Sequence, residues 1–204
     1  MNGPMPMLDA AFVVATQTVT RELLHRVYWA GQDPLKPSVE GNNRYDCPPG
    51  SAPFGVLYLG MDLPTCWMET VVRHNMIRAA GTAITIPLGK MQARWTCDIA
   101  CRKPLHLAQF ADEPLIDLGD SASNITDDSY FRTRTWAALL HMHANPTVDG
   151  LRYRSRFKSD QFCIALFDRA MQDKGLTVSN TRSIDPAQSF EAQAIMRRYN
   201  VVPI

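Results

Sequence analysis

The segment 42–73 constrains the fold more than any other part of the sequence, because it sets a loop, a strand, a turn and a helix in order. Residues 54–59 (Phe-Gly-Val-Leu-Tyr-Leu) form a short apolar run typical of a buried strand, and residues 65–80 have a helical pattern. The connection between them is short. We therefore expect Tyr58 on the strand and Glu69 in the second turn of the helix to reach the same cleft.

A long segment rich in proline, glycine and asparagine, residues 31–53, precedes this strand. Segments of this length without regular structure are uncommon inside compact domains and are often binding loops. Arg44 lies within the loop, just before a Cys-Pro-Pro-Gly turn. An arginine, a tyrosine and a glutamate in this order are residue types that a site splitting a charged glycoside needs.

The rest of the chain alternates between strand and helix patterns, with no repeats and no low-complexity linker. The other predicted strands are 22–29, 82–87, 95–100 and 162–167, and the other predicted helices are 8–20, 127–145 and 186–199. In the helix 127–145, Asp128 and Ser129 offer an N-terminal cap. These elements predict an α+β (mixed α/β) fold in a single compact domain, with residues 1–20 as an extension or short helix and residues 21–204 as the core. Two small domains are the alternative.

Composition excludes several classes of protein. The chain has 204 residues, 46% of them apolar, and a formal net charge of +1. Proteins that mainly bind nucleic acid usually carry a large cationic excess, so we expect no direct nucleic-acid partner. No apolar run is long enough to span a membrane. The N-terminus lacks the basic start and apolar core of a signal peptide, which predicts a cytoplasmic protein.

The five cysteines are odd in number and irregularly spaced, which predicts free thiols. Cys97 and Cys101 with His106 nearby suggest a metal site, but structural zinc usually needs four ligands in paired short spacings, so none is expected. Cys47 is not expected to be a nucleophile, because it lies in the turn and no base is adjacent in sequence.

A strand is also predicted after Gly150. Because side chains alternate along a strand, Tyr153 and Ser155 would share one face, while arginines and a lysine would occupy the other. One interpretation is a basic edge strand whose charges discourage aggregation. A hydroxyl on an apolar face nevertheless needs a hydrogen-bond partner, so Ser155 is a candidate site residue.

Glu69 and Tyr58 also have ordinary interpretations. Glu69 precedes Arg73 by four residues, a helix-surface ion pair that contributes about 0.3–0.5 kcal/mol. Tyr58 could be a core residue. The residues alone leave these interpretations open.

Four segments together resemble the RES family, which is named after an arginine, a glutamate and a serine. The matching pieces, in family order, are Leu24-His25-Arg26-Val27-Tyr28, Asn43-Arg44-Tyr45 with Gly50, Leu57-Tyr58-Leu59 with Glu69, and the segment from Asp149-Gly150 to Ser155. The resemblance covers residues 20–200. The loop departs from the family's Gly-Gly-Arg-Trp pattern, since Asn42 and Asn43 replace the glycines and Tyr45 the tryptophan; asparagine tolerates left-handed backbone.

The resemblance implies a fold like that of the ADP-ribosyltransferases, in which a cleft between two small sheets with flanking helices holds NAD. It implies that NAD is a substrate rather than a cofactor. Glu69, Arg26 and Arg44 would be the catalytic residues, with Arg26 rather than His25 reaching the cleft. The NAD-binding residues would be Tyr28, Tyr45, Tyr58 and Ser155.

The resemblance also implies that the chain is the toxin of a bacterial toxin–antitoxin pair. Its partner would be an antitoxin that carries the DNA-binding domain, and a homodimer is possible. Phosphate or water would accept the ADP-ribosyl group. Two other functions stay open, a protein-directed ADP-ribosyltransferase and a non-catalytic module that binds a nucleotide or an antitoxin. The sequence contains neither the G-x-S-x-G elbow of serine hydrolases nor a G-x-G-x-x-G dinucleotide motif.

Overall fold

The structure, a computed structural model, describes residues 6–73, 79–125 and 129–204. Its strands are β1 (Thr16–Val19), β2 (Leu24–Trp29), β3 (Val56–Gly60), β4 (Ile84–Ile86), β5 (Arg94–Cys101), β6 (Leu105–Phe110), β7 (Gly150–Arg154), β8 (Phe162–Phe167), β9 (Leu176–Ser183) and β10 (Val201–Pro203). Its helices are α1 (Leu63–Trp67), α2 (Leu88–Gln92), α3 (Asp112–Asp117), α4 (Ala122–Ile125), α5 (Phe131–Met142), α6 (Asp168–Asp173) and α7 (Phe190–Tyr199). Helix α1 continues directly as a π-helical segment, Met68–Val72.

Eight strands form one mixed sheet in the order β1-β6-β7-β8-β3-β2-β5-β9. Only β6 and β7 run parallel within it, and every other neighbouring pair is antiparallel. β10 and β4 form a separate parallel pair. The predicted α+β class is confirmed.

The large sheet opens between β2 and β3. These two strands share a single residue pair, His25 with Gly60, although β2 pairs with β5 along its whole length and β3 pairs with β8 in the same way. Strands without a ladder are free to separate, so the end of β2 and the start of β3 become the two walls of a cleft. The two small sheets expected from the sequence are therefore a five-strand part and a three-strand part of one sheet, joined by this single residue pair.

Three apolar clusters stabilise the described fold. The first packs α5, through Trp136 and Leu140, against the five-strand part of the sheet. The second packs the α1–π segment, α7, β4 and β10 around Val27 of β2. The third covers the opposite face of the sheet and includes Leu24 and Ala170. The first two clusters thus pack on different parts of the sheet, on either side of the opening between β2 and β3, while the third spans both parts.

Most sequence-predicted elements are confirmed. The predicted strand 162–167 matches β8 at both ends, and the predictions 22–29, 54–59, 82–87 and 95–100 correspond to β2, β3, β4 and β5. The helices predicted at 127–145 and 186–199 are the shorter α5 and α7. Asp128, predicted as a cap, lies outside the described residues, as do positions 74–78 of the helix predicted at 65–80.

The short helix predicted at 8–20 was wrong. Residues 16–19 form β1, which pairs antiparallel with β6. The segment Thr-Gln-Thr-Val is rich in β-branched side chains, which favour a strand once a neighbouring strand is available.

The strand after Gly150 is β7, and it is an interior strand between β6 and β8 rather than an edge. Gly150 is required there, because a Cβ atom would lie 2.3 Å from the carbonyl oxygen of Ala165 on β8. Leu151 and Tyr153 face the core as predicted. The strand ends at Arg154, so Ser155 lies just beyond it.

Candidate active site

The cleft between β2 and β3 has a volume of about 510 Å³, within the range of small-molecule sites. Residues from β2, β3, the loop before β3, the π-helical segment and the end of β7 line it. Among the described lining residues, Glu69 is the one carboxylate, and it is accompanied by five arginines: Arg26, Arg44, Arg73, Arg94 and Arg156. The cleft is therefore cationic, with one negative group inside it.

Local sequence explains how Glu69 reaches the cleft. Asp62 caps α1, since its carboxylate accepts hydrogen bonds from the backbone N–H and hydroxyl of Thr65, each at 2.7 Å. The helix then widens into the π-helical segment, where Met68 and Val72 are buried in the core. Glu69 is half-buried and lines the cleft. π-Helical turns are often found at functional sites.

The carboxylate of Glu69 is held by the segment after β7. Its Oε1 accepts a 2.6 Å hydrogen bond from the Ser155 hydroxyl and a 2.9 Å hydrogen bond from the Arg156 backbone N–H. The hydrogen bonds that described residues donate to this carboxylate both go to Oε1. The helix-surface interpretation is thus wrong, because Glu69 is half-buried and these two bonds hold its carboxylate.

Ser155 has a different role from the predicted one. It is buried, and its hydroxyl also accepts hydrogen bonds from the backbone N–H groups of Phe157 and Lys158, both at 3.2 Å. The hydroxyl is therefore committed to protein groups. Ser155 positions Glu69, and the structure gives it this protein partner where the sequence analysis expected a nucleotide.

A buried carboxylate, Asp46, organises the loop that carries Arg44. Its Oδ2 accepts hydrogen bonds from the Ser38 hydroxyl and the Asn43 backbone N–H at 2.9 Å, and from the Asn43 side-chain amide at 3.0 Å. Its Oδ1 accepts a 2.9 Å hydrogen bond from the Tyr58 hydroxyl. Asp46 is fully buried, so these contacts fix the loop to β3.

Tyr58 and Tyr45 differ in their placement. The Tyr58 side chain lines the cleft, and its hydroxyl accepts a 3.0 Å hydrogen bond from the Tyr45 backbone N–H. Tyr45 itself is fully buried against Phe110 and Tyr153 and does not line the cleft. The prediction that Tyr45 contacts NAD is therefore not supported by its position; the residue packs beneath the loop.

Arg44 lies in the cleft wall with its guanidinium buried and no ion pair to any residue that the structure describes. Its guanidinium carbon lies 6.0 Å from the ring centre of Tyr45 and 5.9 Å from that of Tyr153. Burial lowers the pKa of Arg44, but the phenols of Tyr45 and Tyr153 and the Glu69 carboxylate together raise that pKa overall. Arg44 is thus a buried cation available to an anionic ligand.

Helix α5 holds the backbone carbonyls of Asn43 and Arg44. The Thr133 hydroxyl donates a 2.7 Å hydrogen bond to the carbonyl of Arg44, and Arg134 Nε donates one of 2.9 Å to the carbonyl of Asn43. The position of Arg44 is therefore set by two elements, β3 through Asp46 and α5 through these bonds.

Arg26 and Tyr28 line the cleft from β2. The Arg26 guanidinium donates hydrogen bonds to the backbone carbonyls of Pro34 and Lys36, the second at 2.9 Å. Burial lowers the pKa of Arg26 to about 10, so the group remains a cation at neutral pH. Arg26 therefore adds positive charge to the cleft while its donors hold the start of the loop.

The structure brings Arg26, Tyr28, Arg44, Tyr58 and Glu69 together as predicted, with Ser155 behind Glu69. Sequence reasoning missed Arg94, Trp29, Tyr130 and Arg156, all in the cleft wall. A signal existed for Arg156, because it immediately follows Ser155. No local signal pointed to Arg94, because its place depends on long-range pairing of β5 with β2.

The described residues contain neither a disulfide bond nor a cluster of metal-ligating side chains. All five cysteines are free thiols. Within the described residues, no group of three or more His, Cys, Asp or Glu side chains is arranged to hold a metal ion. None of the helices in the described part of the chain is both long and apolar enough to cross a membrane.

Comparisons with known proteins agree with the geometry. A family model described as the RES domain matches residues 16–186. The fold is similar to a chain in the crystal structure of the M. tuberculosis MbcT–MbcA toxin–antitoxin complex, with a TM-score of 0.62, 18% sequence identity and 91% of each chain covered. No curated protein matches the sequence.

Proposed function

The chain belongs to the RES domain family, and we propose that it is an enzyme that cleaves NAD between nicotinamide and ribose. The observation that carries the proposal is the Glu69 carboxylate. One of its oxygens is fixed by Ser155 and the Arg156 backbone N–H, and it stands among arginines in a cleft large enough for a nucleotide.

The Glu69 carboxylate suits the charge that develops when the bond between nicotinamide and ribose breaks. When nicotinamide leaves, the anomeric carbon of the ribose becomes oxocarbenium-like and gains positive charge. A carboxylate beside that carbon stabilises charge that develops only toward the transition state, which accelerates the reaction without tighter ground-state binding. The hydrogen bonds to Oε1 hold Glu69 in place, so Oε2 is the oxygen that would face the sugar.

Arginines suit the other end of such a substrate. The forked donors of a guanidinium bind pairs of phosphate oxygens, and Arg44 forms no ion pair with a carboxylate of the described residues. We assign Arg44 to the diphosphate. Tyr28 and Tyr58 supply aromatic surface for the nucleotide, and Arg26 contributes charge while it holds the loop.

The acceptor of the ADP-ribosyl group is phosphate or water. With phosphate, the anomeric C–N bond breaks, a C–O bond to phosphate forms, and the products are nicotinamide and ADP-ribose phosphate. With water, the attacking oxygen loses a proton and the products are nicotinamide and ADP-ribose. The cationic cleft favours phosphate, since a second anion could be held there.

The test is chromatography of NAD incubated with the purified chain, with and without phosphate. We expect nicotinamide to appear, and to appear faster with phosphate. Intact NAD after long incubation with folded protein, free of any inhibitory partner, would contradict the proposal. A labelled protein product in a lysate would instead favour a protein-directed ADP-ribosyltransferase.

We further propose that the chain acts as the toxin of a toxin–antitoxin pair, because its fold neighbour comes from such a complex and NAD loss would arrest growth. Its antitoxin would cover the cleft and carry the DNA-binding domain, since this chain has a net charge of only +1. Expression should arrest a bacterial host and deplete its NAD, whereas the Glu69→Gln chain at equal level should not. Normal growth with soluble parent chain would exclude the toxin role.

A further inference from the structure

Arg94 is a cleft residue that neither the motif nor the mechanism above uses. It is the first residue of β5 and pairs with Trp29, the last residue of β2, so both lie where the sheet opens. Both line the cleft. The guanidinium carbon of Arg94 lies 3.8 Å from the centre of a Trp29 ring, a close cation–π contact.

The hydrogen-bond donors of the stacked Arg94 guanidinium have few protein acceptors. Its Nη1 donates a long, 3.4 Å hydrogen bond to the carbonyl of Thr70, the residue after Glu69. Its Nε is buried without a hydrogen-bond partner, and no carboxylate of the described residues forms an ion pair with it. A buried donor without a partner costs free energy that a bound ligand can recover.

A second arginine, Arg73, acts on the charge of Arg94. Burial first, and then the positive charge of Arg73, lower the pKa of Arg94. Arg73 also lines the cleft, so two guanidinium groups face the same space. Two guanidinium groups on the same part of the wall give that part of the cleft positive charge, which favours an anionic ligand.

We propose that Arg94, stacked on Trp29 and accompanied by Arg73, forms a phosphate-binding subsite of the cleft. The tryptophan covers one face of the guanidinium, which leaves the planar edge to donate. That edge matches two oxygens of a phosphate group. The proposal rests on the proposed function for what the phosphate does, as a free acceptor or as part of the dinucleotide.

The opposing interpretation is structural. Through the Thr70 carbonyl, Arg94 also ties β5 to the π-helical segment that holds Glu69. A purely structural Arg94 would affect melting temperature and turnover, but it would not set the affinity for phosphate when no other substrate is present. Binding of phosphate alone therefore separates the two roles.

The experiment titrates the chain with inorganic phosphate and, separately, with ADP-ribose, followed by phosphorus NMR or calorimetry. It compares Arg94→Gln with the parent and with Arg152→Gln. Arg152 is a matched control, since its guanidinium carbon lies 3.3 Å from the ring centre of Phe162 yet it does not line the cleft. We expect Arg94→Gln to weaken phosphate-group binding about tenfold or more, and Arg152→Gln to leave it unchanged.

The two ligands distinguish the sources of the phosphate group. Weaker binding of inorganic phosphate assigns the subsite to the acceptor, and weaker binding of ADP-ribose alone assigns it to the diphosphate. Equal binding of both ligands by Arg94→Gln and the parent overturns the proposal, as does a folded parent chain that binds neither. Arg94→Lys, which keeps the charge without the fork, replaces the glutamine variant if that variant does not fold.

The result is independent of the NAD assay. If the parent chain binds phosphate through Arg94 but releases no nicotinamide, the subsite stands and the proposed reaction fails. If the chain cleaves NAD and Arg94→Gln binds both ligands normally, the subsite fails and the reaction stands.

Discussion

The Ser155 hydroxyl donates a 2.6 Å hydrogen bond to Oε1 of Glu69, which joins the end of β7 to the π-helical segment across 86 positions of sequence. The pair explains why a buried serine belongs to a cleft that it does not line. It also makes the orientation of the carboxylate depend on a second element of the fold.

Ser155→Ala should lower both turnover and stability. The change removes one charge-assisted hydrogen bond from Glu69 and leaves two backbone N–H groups without their acceptor, so we expect a loss of about 1–3 kcal/mol in the free energy of unfolding and about tenfold or more in turnover. Ser189 is a matched control, because this buried hydroxyl caps α7. Ser189→Ala should cost about 1 kcal/mol and leave turnover per folded molecule unchanged. Equal turnover for the two variants would remove Ser155 from the site.

The two arginines near the loop should differ in what their removal changes. Arg26→Ala removes hydrogen bonds to two loop carbonyls, so its melting temperature should fall. Arg44→Ala removes a guanidinium that forms no ion pair with the described residues, so its melting temperature should change less than that of Arg26→Ala while the KM for NAD or phosphate increases. Thermal unfolding and steady-state kinetics measure both. A large loss of stability in Arg44→Ala would contradict the assignment of Arg44 as a ligand-binding cation.

Tyr58→Phe should separate the ring from the hydroxyl. The ring stays in the cleft wall, but Asp46 loses a hydrogen-bond donor and the Tyr45 N–H loses its acceptor. We expect about 1–3 kcal/mol of lost stability and increased protease sensitivity in the loop. If stability is unchanged, the Asp46 network does not hold the loop to β3.

Gly150→Ala should destabilise the sheet, because the new Cβ would meet the backbone of β8. Overpacking of this kind usually costs about 1–3 kcal/mol. At Gly89, in α2, a Cβ would meet no atom within 4 Å, so Gly89→Ala should be neutral or slightly stabilising. Chemical denaturation of the two variants measures the difference, and similar midpoints would contradict the close approach of β7 to β8.

Sequence reasoning succeeded where local pattern decides the structure. A continuous apolar run set both ends of β8, and the short connection from β3 correctly brought Tyr58 and Glu69 to one cleft. It failed where pairing between strands that are distant in sequence decides the structure. β1 and β6 support each other as strands, the polar β9 gains its conformation from β5, and neither relation shows in a short window of residues.

In the site too, the local motif was informative and the long-range contacts of each side chain were not. The motif identified Glu69, Arg26 and Arg44 as residues of the cleft, but it did not tell whether a side chain would face a ligand or another side chain. Ser155 and Tyr45 are examples of the second kind. Asp46 went unnoticed because a buried carboxylate cannot be told from a surface one until the loop around it is folded.

Glu69→Gln tests most directly whether Glu69 acts on the transition state of NAD cleavage. The amide keeps the size of the side chain and an acceptor for Ser155, so the melting temperature and the affinity for NAD should stay close to those of the parent. Nicotinamide release, measured by chromatography under saturating NAD, should fall by orders of magnitude because the lost charge matters only near the transition state. Nearly full nicotinamide release by the folded Glu69→Gln chain would contradict this role of Glu69.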